Sequence, residues 1–329
     1  MKNHERKIFF YDLDIKARND APAPATARNV VNALFSLLYN PDGSKNYIFH
    51  KRDRDNITLT LRDVVIDEDR DLAILFIGKA DKATPAHAYA NVDSGGLEVH
   101  ETAAHQAPEV TAHVIIDLRE NPDNPERYLC LLEGVTGLTH RSVVSLVNCK
   151  LREIAKADKE IFTRPSRIGA VDRQGNPKIE YYTPRILLIG YISQELVREF
   201  ENGSDQRITL IRDTLRSSFG ERGYFDKTKL SLEIAVAEAA PREGLFGSIL
   251  GDVQRRARSF NKVKVHFKDP EGLARTVDLD PENGSLEQQR YVFSKLITGI
   301  TPPLSSMATV EIVDRVAIPM MRMAEDERG

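Results

Sequence analysis

Residues 229–318 set the strongest constraint on the fold, because extended and helical patterns alternate there in an order few topologies accept. Residues 229–237 read as a strand and 245–260 as a helix, with Phe246, Ile249, Val253, Ala257 and Phe260 on its inward side. Residues 262–268 and 274–280 alternate apolar and polar positions on either side of a short turn. Residues 286–297 read as a second helix, opened by the capping box Ser285-x-x-Gln288 and closed by Gly299. Residues 309–318 read as a last strand. The order β-α-β-β-α-β is that of the split βαβ, or ferredoxin-like, fold: a four-stranded antiparallel sheet with two helices on one face. That fold carries many unrelated functions, so function must come from particular residues.

Upstream, residues 7–15 are strand-like, with Phe9, Tyr11, Leu13 and Ile15 alternating. Residues 26–39 place Val30, Leu34, Leu37 and Leu38 on one helical stripe, and the turn run from Asn40 ends it. Strands are expected at 47–51 and 57–66, and a central strand, apolar on both faces, at 72–77. Residues 82–109 read mostly as loop, and 111–118 with 127–133 as a hairpin. Thr139 can start a helix reaching Lys156, with Val143, Val147, Leu151 and Ile154 inward. Residues 179–192 return as a strand in which Pro184 marks an edge or a bulge. Helices are expected at 194–200 and 207–219. The fold class is therefore α+β, as two α/β-sandwich-like units in tandem. Residues 1–192 form an N-terminal domain with a β meander, 193–228 a helical connector, 229–320 the ferredoxin-like domain and 321–329 a charged tail.

A chain of 329 residues suggests about two domains, and its hydrophobic and charged fractions, 41% and 29%, are those of a globular protein. The net charge of -3 gives no global field toward nucleic acid or membrane, so either partner would need a local patch. Cys130 and Cys149 both lie in apolar stretches, which argues for a reducing compartment and against a disulfide framework or zinc cluster. No apolar run approaches the ~20 residues of a membrane span, and the N-terminus lacks a signal-type apolar region. The expectation is a cytoplasmic protein with no membrane partner and no cofactor.

The densest charge signal runs from Val253 to Lys268, where Arg255, Arg256, Arg258, Lys262, Lys264 and Lys268 occur with no carboxylate. A basic strand face beside a basic helix suits a phosphate backbone. The expected hairpin register weakens this, since it sets Lys264 opposite Asp278 and Lys262 opposite Asp280. Arg255, Arg256 and Arg258, with Lys268, are the candidate nucleic-acid contacts.

Histidines form the second cluster. His87, His100 and His105 lie within 82–109, and His113 follows in the next strand. His100, His105 and His113 are the candidate metal ligands, but His100 and His105 are five apart, whereas two ligands on one helix face need a spacing of four. A polar loop is the favoured reading, and no metal is expected. His100-Glu-Thr102 and His140-Arg-Ser142 match the paired His-x-Thr/Ser of two-histidine phosphoesterases only if both histidines lie on strands facing one cleft. Gly244, Gly247 and Gly251 open a helix without the Gly-Lys-Ser/Thr ending of a phosphate loop.

The run from Ile116 to Glu120, then Asn124-Pro-Glu-Arg-Tyr-Leu129, Leu132-Glu-Gly134 and the helix from Thr139 to Val147, resembles part of the bacterial nucleoid-associated NdpA family. Accessory proteins of phage-defence and mobile-element cassettes share this general look. The resemblance covers a small part of the chain and transfers no functional residue. It implies a bacterial protein of nucleoid or genome-maintenance type. Together these readings favour a non-enzymatic binding protein whose partner is nucleic acid or a phage or host protein. The alternatives are a phosphodiesterase or nuclease using the histidine-rich loop, and an architectural subunit of an oligomeric complex, with a homo-oligomer among the partners considered.

Overall fold

The structure is a computed structural model of the chain. It describes all residues except 1–2, 18–24, 54–55, 86, 91–92, 101–102, 104, 121–126, 166–170, 215–227, 238–243, 257–259, 261, 280–290, 305 and 328–329. The chain divides into two compact units, one of Met1–Leu188 with Lys295–Gly329, the other of Ile189–Ser294.

In chain order the first unit runs β1 (Arg6–Ala17), α1 (Ala27–Leu38), β2 (Ile48–Arg52), β3 (Ile57–Asp67), β4 (Leu72–Asp81), β5 (His87–Ala90), β6 (Leu97–His100), β7 (Glu109–Asp117), β8 (Arg127–Glu133), α2 (His140–Ala157), β9 (Thr163–Pro165), β10 (Ile179–Tyr181) and β11 (Pro184–Gly190). The second unit holds α3 (Gln194–Glu201), β12 (Ser204–Thr214), β13 (Thr228–Ala235), α4 (Leu245–Arg256), β14 (Lys262–Lys268) and β15 (Ala274–Leu279). β16 (Ser294–Ile297) and α5 (Asp314–Glu327) return the chain to the first unit.

The first unit is built on a sheet of order β11-β1-β8-β7-β4-β3-β2, with β16 also paired to β1. Helices α1 and α2 cover one face, where Val30, Leu34, Val143 and Val147 meet Leu13 and Val114. α1 starts cleanly because Thr26 and Asn29 cap each other. The Asn29 amide donates to the Thr26 hydroxyl at 3.2 Å, and the Thr26 amide donates to Asn29 Oδ1 at 3.0 Å. The other face carries α5, which lies against β7 and β8 and buries Val316, Ala317, Met320, Met321 and Ala324. Cover on both faces explains why β1, β4 and β7 are buried on consecutive residues rather than alternate ones. α2 reaches β2 at one edge of the sheet and, through Asn148, β11 at the other, so the sheet curls around this helix.

The strands expected at 47–51, 57–66 and 72–77, the hairpin of β7 and β8, and both helices fall where their patterns place them. Pro184 opens β11, and β11 lies at the sheet edge, where a missing donor costs little. Residues 82–109, expected to be mostly loop, contain the β5–β6 hairpin, in which His87 pairs with His100.

The second unit is a four-stranded antiparallel sheet of order β13-β12-β14-β15. Its core joins Ile208, Leu210, Val263, Val265 and Val277 to Phe200, which packs edge-on against Phe246 and Phe267 at 5.2 and 5.4 Å. The expected register of β14 on β15 is present: Val263 faces Leu279, Lys264 faces Asp278 and Val265 faces Val277.

The ferredoxin-like order is not found, for three reasons. Residues 207–214, expected to be helical, belong to β12, an inner strand of the sheet. Ile208, Thr209 and Ile211 are β-branched, and Ile208 and Leu210 point to the core. The helix expected at 286–297 falls partly outside the described residues, and its end, Ser294–Ile297, is β16. The strand expected at 309–318 does not form. The Thr309 amide donates to the Thr111 hydroxyl and the Val313 amide to a ring nitrogen of His113, so side chains take the donors that a strand ladder would have used. Val310 is 84% exposed, and from Asp314 the chain is helical through Glu327, so residues 321–327 are part of a packed helix, not a free tail. The connector expected at 193–228 keeps its first helix, α3, and loses the second to β12.

Among the described residues, no helix is long and apolar enough to cross a membrane.

Candidate nucleic-acid interface

The basic strand of the second unit is largely compensated. Lys262, Lys264, His266 and Lys268 share the solvent face of β14, and Val263, Val265 and Phe267 the core face. Lys264 Nζ lies 3.0 Å from Asp278, and Lys268 Nζ 3.6 Å from Asp205. Arg207, across from His266, pairs with Glu233 at 3.1 Å and with Asp205 at 3.5 Å. His266 is held between the hydroxyls of Thr276 and Thr209, at 2.9 and 3.1 Å. Its pKa is lowered by partial burial and by Arg207 and Lys264. Arg255 and Arg256 end α4, with side chains outside the described residues, and Arg258 and Asp280 lie outside them altogether.

A less compensated surface lies in the first unit, between α2 and the start of β11. The buried stripe of α2, with Val143, Leu146, Val147, Leu151 and Ile154, sits on the sheet and leaves Asn148 facing β11. Asn148 Nδ2 donates to the Ile186 carbonyl at 2.9 Å, and the Ile186 amide donates to Asn148 Oδ1 at 2.8 Å. The side chain thus fills one pairing position on a free strand edge. One turn further, Arg152 Nε donates to the Asn148 carbonyl at 3.1 Å, which holds its guanidinium along the helix. Arg185 precedes Ile186 and alternates outward from the core. Asn148, Arg152, Thr183, Pro184 and Arg185 line a groove of about 270 Å³. Among the described residues, neither arginine forms an ion pair. Arg152 lies close enough to His50 of β2 for its charge to act on that ring. Burial lowers the His50 pKa first, and the charges of Lys150, Arg52 and Arg152 lower it further. Lys150 is paired with Glu153 at 2.7 Å.

Two guanidiniums and a hydroxyl on one groove suit the oxygens of a phosphate, because each guanidinium is planar, permanently charged and able to donate two parallel hydrogen bonds. Among the described residues the lining offers no carboxylate to compete with a bound anion. Neither Arg152 nor Arg185 stands out in the sequence. They meet only because Asn148 docks α2 on the edge of β11.

Among the described residues, the histidines do not assemble into one site. His100 is in the β5–β6 hairpin, and His105 is exposed in the following turn. His113 is buried in β7. Its Nε2 accepts from the Val313 amide at 3.0 Å, which puts the ring proton on Nδ1, where it is donated to Glu133 Oε2 at 2.6 Å. Arg6 Nε donates to the other oxygen of Glu133 at 2.9 Å. His113 is therefore one member of a buried polar chain that fastens the segment before α5 to the sheet. His140 begins α2 under Tyr11, with ring centroids 5.5 Å apart, and is buried rather than turned to a cleft. Among the described residues, no group of histidine, cysteine, aspartate or glutamate could hold a metal ion.

Comparison of the chain with protein-family models, curated proteins and solved structures gave no match.

Proposed function

We propose that this protein is a non-enzymatic nucleic-acid-binding protein that holds phosphates in the groove between α2 and β11. The observation that supports the reading is the convergence of Arg152 and Arg185 on one groove whose lining contains no carboxylate. The basic run of Arg255, Arg256 and Arg258 is a second contact region under the same proposal. The resemblance to the nucleoid-associated family gives such binding a setting in bacterial genome maintenance or phage defence.

The test is binding of labelled DNA at several salt concentrations. Removing an arginine that holds a phosphate should weaken binding to all sequences alike and lower the slope of log affinity against log salt by about one. Arg152→Ala/Arg185→Ala should lower it by about two. An unchanged affinity and slope, with the same reduction appearing instead in Arg255→Ala/Arg258→Ala, would move the interface to that basic run. No binding by the unaltered protein at low salt would end the reading.

A further inference from the structure

An exposed aromatic residue close in the chain to the groove bears on which form of nucleic acid it takes. β10 pairs with β9, setting Tyr181 opposite Thr163 and Ile179 opposite Pro165. Residues of a strand alternate in direction, and here the alternation separates two tyrosines. Tyr182 turns toward Phe162, with ring centroids 6.0 Å apart, and its amide donates to the Phe162 carbonyl at 3.1 Å. Tyr181 turns the other way and is 60% exposed, and Ile179, on the same side of the strand, is 49% exposed. Two residues after Tyr181 the chain reaches Thr183, which lines the groove, and two residues later Arg185. Tyr181 and Arg185 are four residues apart, so at most about 14 Å of chain separates the ring's residue from the arginine on the groove. The β9–β10 hairpin itself is anchored by the Phe162–Tyr182 contact, so Tyr181 is presented from a held strand.

A phosphate groove beside an exposed ring is the arrangement that recognises unpaired nucleotides. In a duplex the faces of the bases are covered by their neighbours, and a side chain outside the helix meets only phosphates and groove edges. In a single strand each base has a free face that can stack on an aromatic ring, whatever its identity. We propose, resting on the nucleic-acid reading of the groove, that the preferred ligand is single-stranded nucleic acid. Arg152 and Arg185 hold successive phosphates, and one base stacks on Tyr181. Recognition of this kind tolerates any sequence, because it reads charge and a π-face but no base edge.

Fluorescence anisotropy with labelled oligonucleotides of about 12 nucleotides, within the usual site size of such surfaces, tests this on the full chain. The probes are oligo(dT), oligo(U) and a mixed-sequence DNA duplex of the same length. The expected result is tighter binding of at least one single strand than of the duplex, with the two single-stranded probes showing whether deoxyribose or ribose is preferred. Tyr181→Ala should weaken single-strand binding about 5- to 150-fold and leave the salt slope unchanged, since a stacking contact releases no counterion. Tyr181→Phe should bind as the unaltered protein does. Arg152→Ala/Arg185→Ala should instead flatten the slope on every probe.

Equal or tighter binding of the duplex, or single-strand binding unmoved by Tyr181→Ala, overturns the inference. If the arginine variant still flattens the salt slope in that case, the groove remains a phosphate site. If no probe binds, or if neither the arginine nor the tyrosine variant alters binding, the groove reading and the inference fail together.

Discussion

Asn148 of α2 and Ile186 of β11 exchange two hydrogen bonds, at 2.9 and 2.8 Å, so a helix side chain stands where a neighbouring strand would have paired. Both bonds are partly shielded from solvent, and removing the amide leaves a donor and an acceptor of Ile186 without it. Asn148→Ala should lower stability by about 1–3 kcal/mol, the usual cost of abandoned buried polar groups. Urea denaturation measures the decrease. Hydrogen exchange should locate it, as faster exchange at the Ile186 amide.

The chain Arg6–Glu133–His113 is buried throughout, with 5% of the Arg6 side chain and 4% of the Glu133 side chain exposed. Removing one partner of such a pair strands the other charge in a poor solvent. Glu133→Ala should therefore destabilise the first unit by about 3–5 kcal/mol. It should also free the segment before α5, because the carboxylate that orients the His113 ring is gone. Protease sensitivity between Thr309 and Val313, compared with the unaltered protein, reads this second effect.

Lys264 and Asp278 face each other in the β14–β15 register, and each side chain is about a third exposed, with an ion-pair distance of 3.0 Å. An exposed cross-strand pair contributes little, roughly 0.2–1 kcal/mol. Lys264→Glu or Asp278→Lys alone should lower stability by about that amount, and the double reversal should recover most of it. A double variant no more stable than the worse single one would rule out a direct pairing energy.

His140 supplies a pH dependence. Burial, aided by the charge of Arg141, lowers its pKa from 6.5 to about 4. The unfolded chain therefore takes up the proton before the folded one. The stabilisation is complete above pH 6.5, declines as pH falls toward 4, and changes no further below that. By pH 5 the decrease should be about 2 kcal/mol. His140→Gln, neutral at every pH, should show a smaller fall between pH 7 and pH 5 in paired urea titrations. Parallel curves for the two proteins would contradict the burial of a neutral ring.

Local pattern is a sound guide wherever an element's partners are close in the chain. β3 and β4, the β7–β8 hairpin and the β14–β15 register all follow from alternation and turn residues, and Lys264 opposite Asp278 is legible from loop length alone. Pattern misleads where the partner is distant. Val310, Ile312 and Val313 have strand-like composition, but their surroundings are set by Thr111 and His113, and the stripe of Val316, Met320 and Ala324 continues as a helix despite Pro319. In residues 207–214, apolar positions fit either period, and pairing with β13 and β14 decides for strand. The candidate site is hidden for the same reason. A count of charges selects the dense basic run from Arg255 to Lys268, whereas Arg152 and Arg185 become neighbours only after α2 has closed on the sheet edge.

β11 and β16 both pair with β1, so residues 189–294 are an excursion that leaves and rejoins the first unit on the same strand. During synthesis this separates the two units in time. β1 is made before residues 189–294 and β16 and α5 after them, and the face that α5 covers stays open until they arrive. The second unit has all its described strands by Leu279 and can finish first, reversing the usual order in which the N-terminal part of a chain settles before the rest. A nascent chain arrested after Ser294 should accordingly yield a protease-resistant fragment from the second unit, while the first, begun earlier, is still digested.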